Sequence, residues 1–204
     1  MLGFKMKTKI RFNLPTQKQL DEWQAKFIST HGTTKAAYLQ SYSELLEVSH
    51  TLYLRKQFKA LGYMAYGWMP TICKKFNDKT LESRDWETAC KSNNVKVIVD
   101  AISHIKNAPF NNSWVGTSKV LHFINPSVIP IWDSRVRNTI HSYQLHNVKT
   151  LHTNHRESFI AYLEHTHELL ENRSVDLLKT FLDDIYQFNH SQIRVIELIY
   201  FSAR

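Results

Sequence analysis

Lys119 and Asp133 are the two side chains whose types and spacing best suit bond-breaking chemistry. A lysine amine attacks an electrophilic carbon only when neutral, so it must be desolvated or set beside another positive charge. Arg135, Arg137 or the basic first half of the chain could supply that charge. A carboxylate next to the amine would stabilise positive charge that develops as a leaving group departs. Asp133 also follows an apolar run and opens a helix-like stretch, which is an N-cap position.

Positioning the pair falls to the stretch WVGTSKVLHFINPSVIPIWDSRVRN, residues 114–138. It reads as a glycine-containing turn, a short helix carrying Lys119, a Pro-punctuated crossover and a second helix opened by Asp133. Around it the periodicity predicts helices throughout. Thr16 caps a first helix with Leu20, Trp23, Phe27 and Ile28 on one stripe. A second starts near Thr34, with Tyr38, Tyr42, Leu45 and Leu46 inward, and a third spans Leu52 to Leu61. Gly62 to Pro70 (GYMAYGWMP) reads as an aromatic-rich break. Ser83 caps a helix with Trp86 and Cys90, and Val95 to Ile105 has helical spacing despite its β-branched residues. Asn107 to Gly116 is expected to be a loop. Helices at Glu157–Leu170, Val175–Phe188 (capped by Ser174) and Ile193–Phe201 (capped by Asn189 or Ser191) close the chain. The expectation is an all-α protein in a single domain, 1–204, with two lobes meeting near residue 80 (1–80 and 81–204).

The charge is lopsided. Net charge is +8, and residues 1–79 hold 13 Lys and Arg against 5 Asp and Glu, while 80–204 hold 13 against 13. The whole surplus therefore lies in the first 79 residues, the pattern of a face that binds a polyanion.

Val115-Gly116-Thr117-Ser118-Lys119-Val120 resembles the G-x-G-x-K-V turn of the helix-hairpin-helix DNA glycosylases, with Trp114 in place of the first glycine and Ser118 inserted before the lysine. Pro130-Ile131-Trp132-Asp133-Ser134-Arg135-Val136-Arg137 is similar to the P-x-D-[ST]-x-V-x-R segment of the same superfamily, with two residues rather than one between Pro130 and Asp133, and is nearest to its oxoguanine glycosylase branch. The resemblance covers about 25 residues of 204. It implies a two-lobed, all-α glycosylase-like architecture and excision of a damaged or modified base from DNA; the irregular motif and the basic first half point to an unusual target base, modified phage DNA included. It also implies Lys119 as nucleophile, with abasic-site lyase activity through a Schiff base, and Asp133 as the essential carboxylate. Gly116, Thr117 and Ser118 would face phosphate at a helix N-terminus, joined by Arg135 and Arg137.

A base turned out of the duplex needs aromatic contacts to offset its unstacking. Tyr66, Trp68 and Met69 in the GYMAYGWMP stretch, with Trp132 and His122, are the candidates for that pocket. Arg55, Lys56, Lys59, Lys74 and Lys75 flank the stretch and could hold phosphates. The expected partner is double-stranded DNA, with the protein a monomer.

Other chemistries lack a signature. No P-loop, G-x-G-x-x-G, G-x-S-x-G or HExxH is present. His165 and His167 stand two apart and so point to different helix faces. Cys73 and Cys90 are too few for an iron–sulfur cluster, and no metal or cofactor is expected. The two cysteines and the lack of any apolar run of membrane length point to a cytoplasmic protein. Two alternatives remain: a non-catalytic helical nucleic-acid-binding module, and a nuclease using Asp133 with a histidine.

Overall fold

Helix starts in this chain are set by side chains that accept from the free N–H groups of the first turn. Thr16 and Gln19 cap each other reciprocally: Gln19 N donates to Thr16 Oγ1 at 3.2 Å and Thr16 N to Gln19 Oε1 at 2.9 Å, a capping box. Asn77, Ser83, Asn94, Ser113, Asp133 and Ser191 each accept from an N–H two or three residues on.

The computed structural model describes residues 10–31, 37–68, 72–186 and 189–203. They form α1 (Gln17–His31), α2 (Ala37–Leu54), α3 (Phe58–Gly67), α4 (Asp78–Leu81), α5 (Arg84–Lys91), α6 (Val95–His104), α7 (Trp114–Ile124), α8 (Ser134–Ser142), α9 (Arg156–Asn172), α10 (Asp176–Tyr186) and α11 (Gln192–Ser202). No β-strand forms among the described residues; isolated bridges join Phe12 to His146 and Phe76 to Phe110. The chain is all-α.

Two helices are buried nearly all round, as central elements must be. In α7 Trp114 and Gly116 through Phe123 are buried, and in α11 Ile193 through Tyr200. Helices α2 and α3 pack on α7, while α1, α8 and α9 pack on α11. The hydrophobic core is continuous across residue 80: Phe58 of α3, Trp86 of α5 and Phe110 stack edge to face at ring separations of 5.9 Å.

Three expectations from the sequence need correction. The break at GYMAYGWMP is helix as far as Gly67, with Trp68 as its C-cap; Met69 and Pro70 lie outside the described residues, as do Gly32 and Thr34. Gly62 lies inside α3 because Phe110 and Phe76 crowd its bare Cα. A Cβ there would meet the Phe110 ring at 2.7 Å. The chain instead turns at Arg55–Gln57, where Lys56 takes a left-handed φ of 54°, so Leu52–Leu54 belong to α2. The third correction concerns Gly116, which is not in a turn. Ser113 caps α7, and Gly116 lies in its first turn under Tyr66.

Glycine inside a helix costs roughly 1 kcal/mol relative to alanine, so propensity alone favours Gly116→Ala. The packing argues the other way, because a Cβ would stand 1.9 Å from the Tyr66 hydroxyl and 2.4 Å from its ring. Gly116→Ala should therefore lower unfolding stability by about 1–3 kcal/mol, read as a lower thermal midpoint. A midpoint unchanged or raised would contradict this packing.

Candidate functional site

Ser118 and Trp132, the residues just before Lys119 and Asp133, are hydrogen-bonded to each other. The Ser118 hydroxyl accepts from the Trp132 backbone N–H at 3.0 Å. It shares its own proton between the carbonyls of Val115 at 2.9 Å and Trp132 at 3.2 Å. This clasp ties the second turn of α7 to the strand-like residues leading into α8. Asp133 follows at once and caps α8, its Oδ1 accepting from Arg135 N and Val136 N, each at 2.9 Å.

Lys119 is 8% exposed. Among the described residues its ammonium closes no hydrogen bond and no ion pair. Burial pushes its pKa down to about 8; Asp133 pulls it up and Arg194 pushes it down. The amine thus feels the carboxylate without being tied to it, and its neutral fraction, about a tenth at pH 7, reaches about half near pH 8.

Arg194 was not singled out in the sequence, and it is central here. It is 1% exposed on α11, pairs with Glu197 one turn on, and lies over the rings of Tyr42 at 4.7 Å and Trp68 at 5.2 Å. Such a guanidinium between two aromatic faces gains cation–π attraction while desolvated. Tyr42 in turn contacts His122, hydroxyl to Nε2, at 2.6 Å. His122 Nδ1 contacts the Ile129 carbonyl at 2.6 Å and can only donate to it, so Nε2 is left to accept from Tyr42. Burial, with Arg194 adding to it, pushes His122 down to about 3, so the imidazole is a neutral bridge rather than an acid.

The other expected site residues divide. Trp68, half-buried, joins the cluster through Arg194, Tyr42 and Phe123, the last at 5.3 Å. Tyr66 points instead at Gly116, with its hydroxyl donating to the Phe110 carbonyl at 3.3 Å. Trp132 is wholly buried against Tyr162 and Phe12, and its Nε1–H donates to the Thr153 carbonyl at 2.6 Å. Tyr66, Trp132 and His122 are core residues in this fold, not walls of an open pocket. Met69 lies outside the described residues. Gly116, Thr117 and Ser118 are buried, and their N–H groups are used within the helix: Gly116 N donates to Ser113 Oγ at 3.4 Å and Thr117 N to the Ser113 carbonyl at 2.9 Å. The cap thus takes the donors expected to face phosphate.

The basic residues remain outside. Arg55, Lys56, Lys59, Lys74 and Lys75 are exposed. Lys59 pairs with Asp78 at 3.0 Å, and Arg135, also exposed, lies over Phe201 at 4.3 Å. Arg137 is partly buried. An open cleft of about 920 Å³ runs between the α2–α3 turn and α4–α5, with Phe58, Trp86 and Cys90 in its wall. Its lining does not include Lys119 or Asp133, so this cleft and the Lys119–Asp133 pair are separate places. Among the described residues no three His, Cys, Asp or Glu side chains gather as a metal site, and Cys73 and Cys90 are unpaired thiols.

Compared with protein-family models, with curated proteins and with solved structures, the chain matches none.

A buried lysine held below its unfolded pKa costs stability. Between about 8 and 10.5 the unfolded chain keeps its Lys119 proton while the folded one releases it, so this group's contribution rises with pH through that window. Lys119→Met should therefore raise unfolding stability at pH 7 by roughly 1–3 kcal/mol and flatten the rise between pH 8 and 10.5. A variant less stable than the parent at pH 7 would mean that the ammonium is a structural partner.

Proposed function

We propose that the protein is a DNA glycosylase of the helix-hairpin-helix kind, in which Lys119 attacks the sugar and Asp133 supports departure of the base. The observation that carries this reading is the buried Lys119 amine, unpaired among the described residues and within electrostatic reach of the Asp133 carboxylate, with Arg194 raising its neutral fraction.

The step balances as follows. The neutral Nζ bonds to the anomeric carbon, and the N-glycosidic bond breaks with its electron pair leaving on the base. Asp133 offsets the positive charge that builds on the sugar in the transition state. The base takes up a proton and departs. Loss of a proton from Nζ and opening of the sugar ring give an imine, and water then returns the amine and leaves an abasic sugar. The nucleotide must leave the stack to reach Lys119. Trp68 is the aromatic that is both partly open and in contact with the Arg194 cluster, and it is the proposed stacking face for the turned-out base. The exposed lysines of residues 55–79 would hold the phosphates, with double-stranded DNA as the substrate and the monomer as the acting form.

A non-catalytic nucleic-acid-binding module is the second reading, favoured by the exposed lysines alone, which would bind without the buried pair. Base release separates the two. Duplexes carrying damaged bases, together with heavily modified phage DNA, would be incubated with the protein and probed for abasic sites. The expected result is abasic sites with the parent and at least a hundredfold fewer with Asp133→Asn, since electrostatic groups of this kind contribute about 10²–10³ in rate. Tight binding with no abasic sites on any substrate would leave the module reading and sink the enzyme.

A further inference from the structure

Residues 72–77, between α3 and α4, form an extended strap whose backbone is fixed by one side chain. Asn111 Oδ1 accepts from the N–H groups of Lys74 at 2.7 Å and Lys75 at 2.9 Å, and its Nδ2 donates to the Ile72 carbonyl at 2.9 Å. Asn111 N donates back to the Lys75 carbonyl at 2.9 Å, and Asn77 N to the Pro109 carbonyl at 2.9 Å. Asn111 and Asn112 hold left-handed φ values of 52° and 50°, a conformation asparagine tolerates better than most residues.

The strap is amphipathic the wrong way round for simple packing. Cys73 is buried, and Phe76 lies edge-on to Phe110 at 6.0 Å and Tyr63 at 5.4 Å. Ile72, by contrast, is 71% exposed and Tyr63 57%. Lys74 and Lys75 stand exposed beside Ile72 and make no ion pair among the described residues. Lys59 lies over Phe76 at 5.9 Å, and Lys79 is exposed just beyond. A protruding aliphatic side chain on a backbone held by Asn111, set beside Lys74 and Lys75, which make no ion pair among the described residues, matches a polyanion with apolar gaps between its charged rails. Duplex DNA has that chemistry: phosphates for the lysines and a base step for the wedge.

The strap is also wired to the reactive helix. Asn111 lies two residues before Ser113, the cap of α7, and Lys119 stands six residues past that cap, about 9 Å along the axis at 1.5 Å per residue. Asn154 pins the same corner, donating to the Asn112 carbonyl at 3.1 Å and accepting from Trp114 N at 2.8 Å.

We propose that residues 72–75 form a duplex-DNA docking strap in which Lys74 and Lys75 grip phosphates and Ile72 wedges into the base stack. This rests on the nucleic-acid reading above and names the surface that would open the duplex.

The test uses the full chain and duplexes carrying 2-aminopurine, whose fluorescence rises on unstacking, with anisotropy over a salt series for affinity. The parent should bind and brighten the probe. Ile72→Ser should bind within about threefold of the parent yet lose most of the brightening, and Ile72→Leu should keep it. Lys74→Gln with Lys75→Gln should weaken binding at least tenfold and lower the salt slope by about two, one for each phosphate contact. Thermal midpoints matching the parent would confirm that these exposed changes leave the fold intact. Ile72→Ser brightening the probe as well as the parent, or the double lysine variant binding as tightly, would overturn the strap while leaving the glycosylase reading standing. A parent that binds no duplex would sink both. A parent whose affinity for an acidic peptide is abolished by the strap changes, while its DNA binding is untouched, would reassign the surface to a protein partner.

Discussion

The Ser118 clasp is the constraint on which the site depends. A buried backbone N–H without a partner costs about 1–3 kcal/mol, and the Trp132 N–H has the Ser118 hydroxyl as its acceptor. By meeting that need the hydroxyl fixes the lateral register between α7 and the segment before α8. Lys119 and Asp133 are the next residues on each side, so their proximity follows from a hydrogen bond neither of them makes. Ser118 is thus the residue that sets the pair's register in this chain.

A second layer of cost surrounds the pair. Arg194, Glu197, His122 and Lys119 are all at least nine-tenths buried, where unpaired charge is expensive. The fold answers each one differently. Arg194 is paired with Glu197 and lies on aromatic faces, and His122 is neutral between Tyr42 and Ile129. Only the Lys119 ammonium goes without such compensation among the described residues. A fold that satisfies its other buried cation and leaves this one strained has its least comfortable group beside a carboxylate. Strained, uncompensated groups of this sort concentrate where function needs them.

The legible parts of the fold were those decided locally. The caps at Thr16, Ser83, Asp133 and Ser191 lie where side-chain chemistry predicts, because the bonds are made within three residues. The misread parts were decided at long range. Gly62 and Gly67 look like breakers, yet α3 runs through Gly62 because rings from Phe76 and Phe110 fill the space a Cβ would take. Gly116 looks like a phosphate-facing turn, yet Ser113 caps the helix three residues earlier and Tyr66 occupies the glycine's face. Arg194 was missed because a charged residue in an apolar helix reads as its solvent face. The signal was available: Ile193 to Phe201 holds only Arg194 and Glu197 as charges, one turn apart, and a helix apolar on its other sides is a central helix whose charges must pair. Lys119 and Asp133 were legible by type and order, and their environment was not.

The central claim is that Lys119 is a nucleophile. The direct measurement is borohydride reduction during incubation with substrate DNA, followed by mass mapping of the cross-linked peptide. A covalent adduct on Lys119, more abundant at pH 8 than at pH 6 and absent in Lys119→Met, is the result expected of an amine with a pKa pushed down to about 8. Base release without any adduct at Lys119, or an adduct that persists in Lys119→Met, would contradict the account.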